Sequence, residues 1–345
     1  MDAKTINDML PFVLKRENVA RYRKGRVEIG DRRKYPFEKA FHICEDVEGV
    51  ARAVEEMVTQ GGGPAVAAAY ALAMAARQAA ALPAEKALAR LKEAKTRLVN
   101  TRPTNTAMAL WLEELQDIAE KALEEGEDAE AALLASIESR RDRDYEAYYR
   151  RARFGADLMQ DRDGILTMCF AETSFLLALA LAKQDGKRIQ VFVPETRPYL
   201  QGARLTAPSI QEIGIPVTLI GDSMPAYLMS QGKIQKYFTA ADLITLDGHV
   251  VNKIGTFQLA IAAHHHGIPY FAFMWGADPG HPDRDSIRIE ERDQGEMRSC
   301  RDVATTLDSI PAYYPAFDIT PPYLVSGIIT AKGIFSPYDL HRHFE

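Results

Sequence analysis

From Gly164 onward the chain repeats one arrangement: a short apolar run that closes on polar residues, followed by a stretch with helical spacing. The runs are Gly164-Ile165-Leu166-Thr167-Met168-Cys169-Phe170, 191–193 before Glu195, Val217–Ile220 before Asp222, 243–246 before Asp247, and Tyr270–Phe273 before Trp275. Strands linked through helices by short loops make a parallel sheet, because parallel neighbours need a crossover. Helices on both faces bury such strands completely, which is why the runs are continuously apolar rather than alternating. All the strands then end on one rim, where open α/β sheets bind ligands. Cys169, Glu195, Arg197, Asp222, Asp242 and Asp247 fall on that rim.

Ahead of Gly164 the spacing is helical. Val47, Val50, Val54, Met57 and Val58 mark one helix, which Gly61-Gly62-Gly63 stops. Pro64, suited to a first helical position, then starts an Ala-rich, nearly all-apolar helix reaching Leu82. Leu88, Leu91 and Leu98 mark a third helix, and Met108, Trp111, Leu112, Leu115 and Ile118 a fourth. A charged fifth runs from about Asp128 to Met159. The first 45 residues, with charge clusters around Gly25 and Gly30, read as a small β-meander or an extended arm. A chain of 345 residues has room for two cores. The expected fold is α/β, with an amino-terminal domain of β arm plus helices (1–155) and a parallel-sheet domain (156–345). The Asp-, Gly- and Pro-rich segment 275–288 reads as a lid or an oligomer contact.

Charge and cysteine usage exclude several function classes. A net charge of −6 with no basic cluster argues against nucleic-acid partners, whose phosphates are met by grouped Lys and Arg. Cys44, Cys169 and Cys300 are odd in number and far apart, which suits neither a disulfide framework nor a zinc knuckle and fits a reducing compartment. No uncharged run has the length of a membrane span, and the start Met1-Asp2-Ala3-Lys4 lacks the pattern of a signal peptide. The expectation is a cytoplasmic protein without membrane partners.

Several residues could carry chemistry. The turn Asp247-Gly248-His249 leads through Val250, Val251, Asn252 and Lys253 to a helix entrance at Gly255-Thr256, where free N–H groups and a Lys suit an oxyanion or phosphate. A structural cap explains the same residues. Gly61-Gly62-Gly63-Pro64 reads either as a backbone nest for an anion or as a sharp helix–helix turn. Arg102, ahead of Pro103, projects near a helix amino end. Cys169 reads either as a small buried hydrophobe or, with a raised pKa and a partner carboxylate, as a proton donor. His264-His265-His266 point about 100° apart on a helix and cannot converge on one ion, so no metal site is expected there.

Two long motifs then tie these positions together: Glu195-Thr196-Arg197-Pro198-Tyr199-Leu200-Gln201-Gly202-Ala203-Arg204-Leu205-Thr206-Ala207, and Val251-Asn252-Lys253-Ile254-Gly255-Thr256-Phe257-Gln258-Leu259-Ala260. With Arg102-Pro103-Thr104, Gly164-Ile165-Leu166-Thr167 ahead of Cys169, Ala241-Asp242, and Pro315-Ala316-Phe317-Asp318-Ile319-Thr320-Pro321, the chain closely resembles the methylthioribose-1-phosphate isomerase family from about residue 45 to its end. That family shares its fold with ribose-1,5-bisphosphate isomerase and with regulatory subunits of the exchange factor for translation initiation factor 2. The resemblance implies a helical amino-terminal domain, a Rossmann-like domain after it, a homodimer, and no metal or other cofactor. It places the catalytic pair on Cys169 and Asp242. Phosphate binding falls on Arg102, Gln201 and Lys253, with Asn252 beside them and Gly62 and Gly63 at the glycine turn. The implied reaction is an aldose–ketose isomerisation of a pentose 1-phosphate, such as 5-methylthioribose 1-phosphate of methionine salvage or a 5-substituted relative. Asp242 would handle hydroxyl protons and Cys169 the proton at carbon. The rival is a non-catalytic protein of the regulatory branch that senses a sugar phosphate.

Three departures cluster at the expected site. Gly61-Gly62-Gly63-Pro64 stands where the isomerases have Arg-Gly-Ala-Pro, so one phosphate-contacting arginine is missing. Arg16, Arg21, Arg23, Arg32 and Arg33 are candidates to replace it. Cys169-Phe170-Ala171-Glu172 stands in place of Cys-Asn-Thr-Gly, and Asp247-Gly248-His249 in place of Asn-Gly-Asp, which makes Phe170, Glu172 and His249 candidate specificity residues.

Overall fold

The computed structural model describes residues 2–102 and 105–344, so Pro103 and Thr104 of the Arg102 motif lie outside the described residues. The chain divides into two compact units: Asp2–Asp8 with Phe12–Glu146, and Met9–Pro11 with Ala147–Glu345. Each is taken by itself.

In the first, strands β1 (Ala20–Arg23), β2 (Arg26–Gly30) and β3 (Phe41–Cys44) form an antiparallel meander. Helices follow at Val47–Glu55, Gly63–Ala79, Ala84–Val99 and Thr106–Glu124, and a long one, Ala129–Leu158, begins here. The helix Gly63–Ala79 is buried almost all round, as its lack of a polar face requires, and it forms the centre of a core with Val27, Ile29, Leu91, Leu98, Met108, Trp111 and Leu115. Its start is tight. A Cβ on Gly63 would sit 1.9 Å from the Thr59 hydroxyl, so only glycine fits. The preceding helix stops at Glu55, earlier than the glycines, because Met57 turns left-handed at φ 61°.

In the second unit, a seven-stranded sheet runs in the order β15-β14-β10-β7-β4-β5-β6, built from β4 (Gly164–Leu166), β5 (Gln190–Pro194), β6 (Val217–Ile220), β7 (Lys236–Ala240), β10 (Tyr270–Phe273), β14 (Gly327–Thr330) and β15 (Gly333–Phe335). Only β15 pairs antiparallel; every other neighbouring pair is parallel. Counted along the chain, the parallel strands lie in the order 3-2-1-4-5-6, the doubly wound arrangement that reverses direction between its first and fourth strands. Those strands are β4 and β7. A smaller antiparallel sheet, β13-β9-β8, joins β8 (Leu243–Ile244), β9 (Val250–Lys253) and β13 (Phe317–Thr320), and β11 (Ser299–Cys300) and β12 (Val303–Ala304) form a short antiparallel pair.

Two strand assignments from the sequence are corrected. The run 243–246 is not a strand of the parallel sheet: only Leu243 and Ile244 are extended, and they fold back on β9 as a hairpin closed by the Thr245 N–H donating to the His249 carbonyl at 3.0 Å. The parallel strand is the preceding segment, β7, whose Lys236 and Thr239 disguise a run buried in the sheet centre. Asp247 therefore lies in a hairpin turn and not on the rim. The run that carries Cys169 is also shorter as a strand than its apolar length suggests. It leaves the ladder after Leu166, with Thr167 N–H still reaching the Phe192 carbonyl at 3.3 Å, and bends at Cys169. The segment 275–288 is tied down by main-chain bonds from Leu246 to His281 and from Asp278 to Ile244.

Candidate active site

Cys169 follows β4 and Asp242 follows β7, so the two stand at the carboxyl ends of the strands that flank the reversal point. Backbone geometry marks the same place. Cys169, Glu172, Thr196 and Leu200 all have left-handed backbones, at φ 61°, 60°, 63° and 66°. Each carries a side chain that disfavours this conformation, and strain of this kind gathers at functional sites. Interlocking polar contacts hold it. The Cys169 N–H donates to the Thr196 hydroxyl at 3.2 Å, that hydroxyl donates to the Pro194 carbonyl at 3.3 Å, and the Thr206 hydroxyl donates to the Cys169 carbonyl. Asp222, at the end of β6, accepts from the Thr196 and Arg197 N–H groups, both at 2.7 Å. The loop continues through Gln201 into a turn of π-helix, Gly202–Thr206, a feature common at binding sites.

Electrostatics gather on the thiol. Burial pushes Cys169 up to about 11, against the pull of Lys253 and of the Phe170 N–H, while Asp242 and Glu172 push it further. The thiol therefore keeps its proton at neutral pH. Burial also raises Asp242, with Lys253 and Arg292 opposing and Glu290 adding to the rise. By accessible surface Cys169 is half-buried and Asp242 exposed, although protein surrounds both; water on one side moderates these shifts and does not change their direction.

Lys253 is the cation of the group. It ends β9, is 4% exposed, and its ammonium lies 4.6 Å from the centre of the Phe317 ring, across the β9–β13 ladder. No carboxylate among the described residues pairs with it. The helix entrance beside it is not free: Asp318 accepts from Gly255 N–H at 2.7 Å and from Phe257 N–H at 3.1 Å, capping the helix Thr256–His265. Two of the backbone donors at that entrance are thus engaged in a structural cap. Burial pushes Asp318 up to about 6 despite those donors and Lys253. Asn252, also buried, donates to the Thr256 hydroxyl at 3.0 Å. Gln201 is 4% exposed, and its Oε1 has no partner among the described residues.

The candidate specificity residues divide. Phe170 is buried and Glu172 begins the helix Glu172–Gln184, within the field of the thiol. His249 is engaged within its own hairpin turn, its Nδ1 2.9 Å from the Asp247 carboxylate and its N–H on the Thr245 hydroxyl. Gly62, Gly63 and Arg102 belong to the other unit. There Arg102 donates to the Val54 carbonyl at 2.9 Å and Arg32 to the Gln60 carbonyl at 2.8 Å, so two guanidinium groups bracket the segment that makes the glycine turn. Of the other arginines of the arm, Arg16, Arg21 and Arg33 pair with carboxylates. His264, His265 and His266 stand at a helix end, and among the described residues no group of three or more His, Cys, Asp or Glu is placed to hold a metal ion. No helix among them is long and apolar enough to cross a membrane.

Sequence reasoning did not single out Thr196, Thr206 and Asp318, although all three lie inside the motifs it quoted. Glu290 and Arg292, which act on Asp242, had no signal of pattern, because they lie in an irregular segment. Comparison with known proteins gives the family. Residues 62–337 match the model of the initiation factor 2 subunit family. The chain is 37% identical over 327 residues, 92% of its length and 91% of the relative's, to a methylthioribose-1-phosphate isomerase of Xanthomonas campestris pv. campestris (strain B100). Its fold matches the crystal structure of 5-methylthioribose 1-phosphate isomerase from Pyrococcus horikoshii OT3 with a TM-score of 0.88 at 31% identity, covering 100% of this chain and 99% of that one. It also matches translation initiation factor eIF-2B, subunit delta, from A. fulgidus, with a TM-score of 0.81 at 32% identity over 93% and 96% of the two chains. With full-length likeness of this order, the chain belongs to the initiation factor 2 subunit family, on the branch formed by the methylthioribose-1-phosphate isomerases.

Proposed function

We propose that the protein is an aldose–ketose isomerase of a pentose 1-phosphate, of the class of 5-methylthioribose 1-phosphate, with Cys169 and Asp242 as its acid/base pair. The observation that carries this reading is the pairing, at the reversal point of the sheet, of a protonated thiol with a carboxylate of raised basicity beside a buried, unpaired ammonium. Cys169 gives a proton to the ring oxygen as the bond from C1 to that oxygen breaks. Hydrogen then passes with its electron pair from C2 to C1, Asp242 takes the proton of the C2 hydroxyl as the carbonyl forms, and that proton returns to the sulfur. Lys253 and Gln201 hold the phosphate, and binding energy spent there fixes the reacting carbons. Arg102 with Gly62 and Gly63 forms an anion-binding corner of its own unit.

The same reading takes the chain as a helical domain, 1–155, followed by a Rossmann-like catalytic domain, 156–345, acting as a cytoplasmic homodimer in methionine salvage. The test is isomer exchange followed by NMR. Wild-type protein converts the aldose 1-phosphate to ketose, and Cys169→Ser and Asp242→Asn both lose turnover while still binding. In D2O the pair-transfer route leaves C1 free of deuterium, and incorporation there would assign the hydrogen to an exchanging enediol route instead. The likeness to subunit delta of the initiation factor supports a second reading, a sugar-phosphate sensor, which predicts tight binding with no turnover by the wild type.

A further inference from the structure

Tyr314 is a polar group near the site that the mechanism leaves unused. It is 2% exposed, and its phenol oxygen has no hydrogen-bond partner among the described residues. A buried hydroxyl without a partner carries its desolvation cost uncompensated, so a phenol where a phenyl ring would pack needs a reason. Its position supplies one. Main-chain bonds fix the segment, with the Arg292 N–H donating to the Tyr314 carbonyl at 2.9 Å and the Ala316 N–H to the Glu290 carbonyl at 2.8 Å. Just beyond it, Phe317 opens β13 and packs against the Lys253 ammonium. Arg292, Glu296, Cys169 and Glu290 all act on the phenol, and Arg292 and Glu290 act on Asp242 as well. Arg292 and Glu290 already pair with each other at 3.1 Å. Burial pushes the phenol up to about 12, which keeps it a neutral donor at neutral pH.

We propose that Tyr314 contacts the substrate, its hydroxyl forming a hydrogen bond with a sugar oxygen of the ligand served by Cys169, Asp242 and Lys253. This deepens the isomerase reading and rests on it for the class of ligand. A residue in this role selects for a hydroxyl rather than for the phosphate. The free protein carries the cost of the idle hydroxyl, and the ligand relieves it.

Tyr314→Phe removes the oxygen and keeps the ring. Calorimetry on the full chain, wild type and variant, measures binding of ribose 1-phosphate, 2-deoxyribose 1-phosphate and 3-deoxyribose 1-phosphate. The variant should bind ribose 1-phosphate about three- to tenfold more weakly, the worth of one net hydrogen bond. That deficit should vanish on one of the two deoxy sugars, and without ligand the variant should melt at the same temperature as the wild type or higher. Equal affinities overturn the proposal. So does a deficit that persists on both deoxy sugars, which assigns it to packing, and so does a lower melting temperature without ligand, which means the hydroxyl is already partnered. Failure of the wild type to turn over, with these binding differences intact, sinks the isomerase reading and leaves the contact standing. Full turnover with equal affinities does the reverse, and no binding by the wild type overturns both.

Discussion

Asp318→Asn isolates a charge that the fold holds against its preference. In the wild type the carboxylate caps the helix Thr256–His265, yet burial keeps its pKa at about 6 instead of 3.8. Between those values the native state binds more protons than the unfolded one. The stabilisation this gives is therefore complete below about pH 4 and is lost as the pH rises through 6. A gap of about two in pKa is worth about 3 kcal/mol, and the partial access of water to this half-buried group reduces it to about 1–2 kcal/mol. Asn keeps an acceptor of equal capping rank without the charge. The stability of the variant minus that of the wild type should thus grow by about 1–2 kcal/mol in favour of Asn from pH 4 to 7. Thermal unfolding of the two proteins side by side, with amide exchange of this helix, measures the difference with other titrating groups cancelled. Parallel profiles would refute the argument. Removing the charge near Lys253 should also tighten binding of an anionic sugar at pH 7 and leave it unchanged at pH 5, where Asp318 is already largely neutral.

Lys253→Met should weaken binding of a sugar phosphate about ten- to a hundredfold, the range of a charge-assisted hydrogen bond, without loss of stability, since a buried ammonium without an ion pair gives way to an apolar chain; isothermal titration and a melt check both halves. Alkylation of Cys169 by iodoacetamide, followed by peptide mass spectrometry, should be slower at pH 7 than for a free thiol and should rise towards pH 11; Asp242→Asn, which removes a charge that raises the thiol, should speed it, and an unchanged rate would deny that the two interact. Glu172→Gly should stabilise the protein by about 1 kcal/mol, because glycine accepts the left-handed backbone, and should improve binding of a doubly phosphorylated sugar; titration with ribose 1,5-bisphosphate showing no gain would remove repulsion as the role of Glu172.

Much of the sheet was legible because buried parallel strands are written as unbroken apolar runs. One of the misses shows the limit of that signal. In β7 the polar Lys236 and Thr239 sit within a buried strand, whereas 243–246 looks more apolar and makes a hairpin, so local hydrophobicity pointed one step too far along the chain. Cys169, Asp242 and Lys253 were found through motifs, since a thiol in an apolar run has no distinguishing pattern. The cap by Asp318 was not legible, because it joins residues more than 60 positions apart, and neither was Tyr314, whose significance lies in a missing partner.

The left-handed backbones at Cys169, Glu172, Thr196 and Leu200 bear on how such a site changes over generations. Where a side chain persists against a conformational penalty that glycine would remove, selection is holding the side chain itself. The two loops therefore differ in evolvability. Thr196 is bound into the framework that holds Cys169, so drift there endangers the nucleus of the site. Phe170 and Ala171 carry no such backbone penalty, and a library restricted to these two codons is the economical route to a new sugar preference.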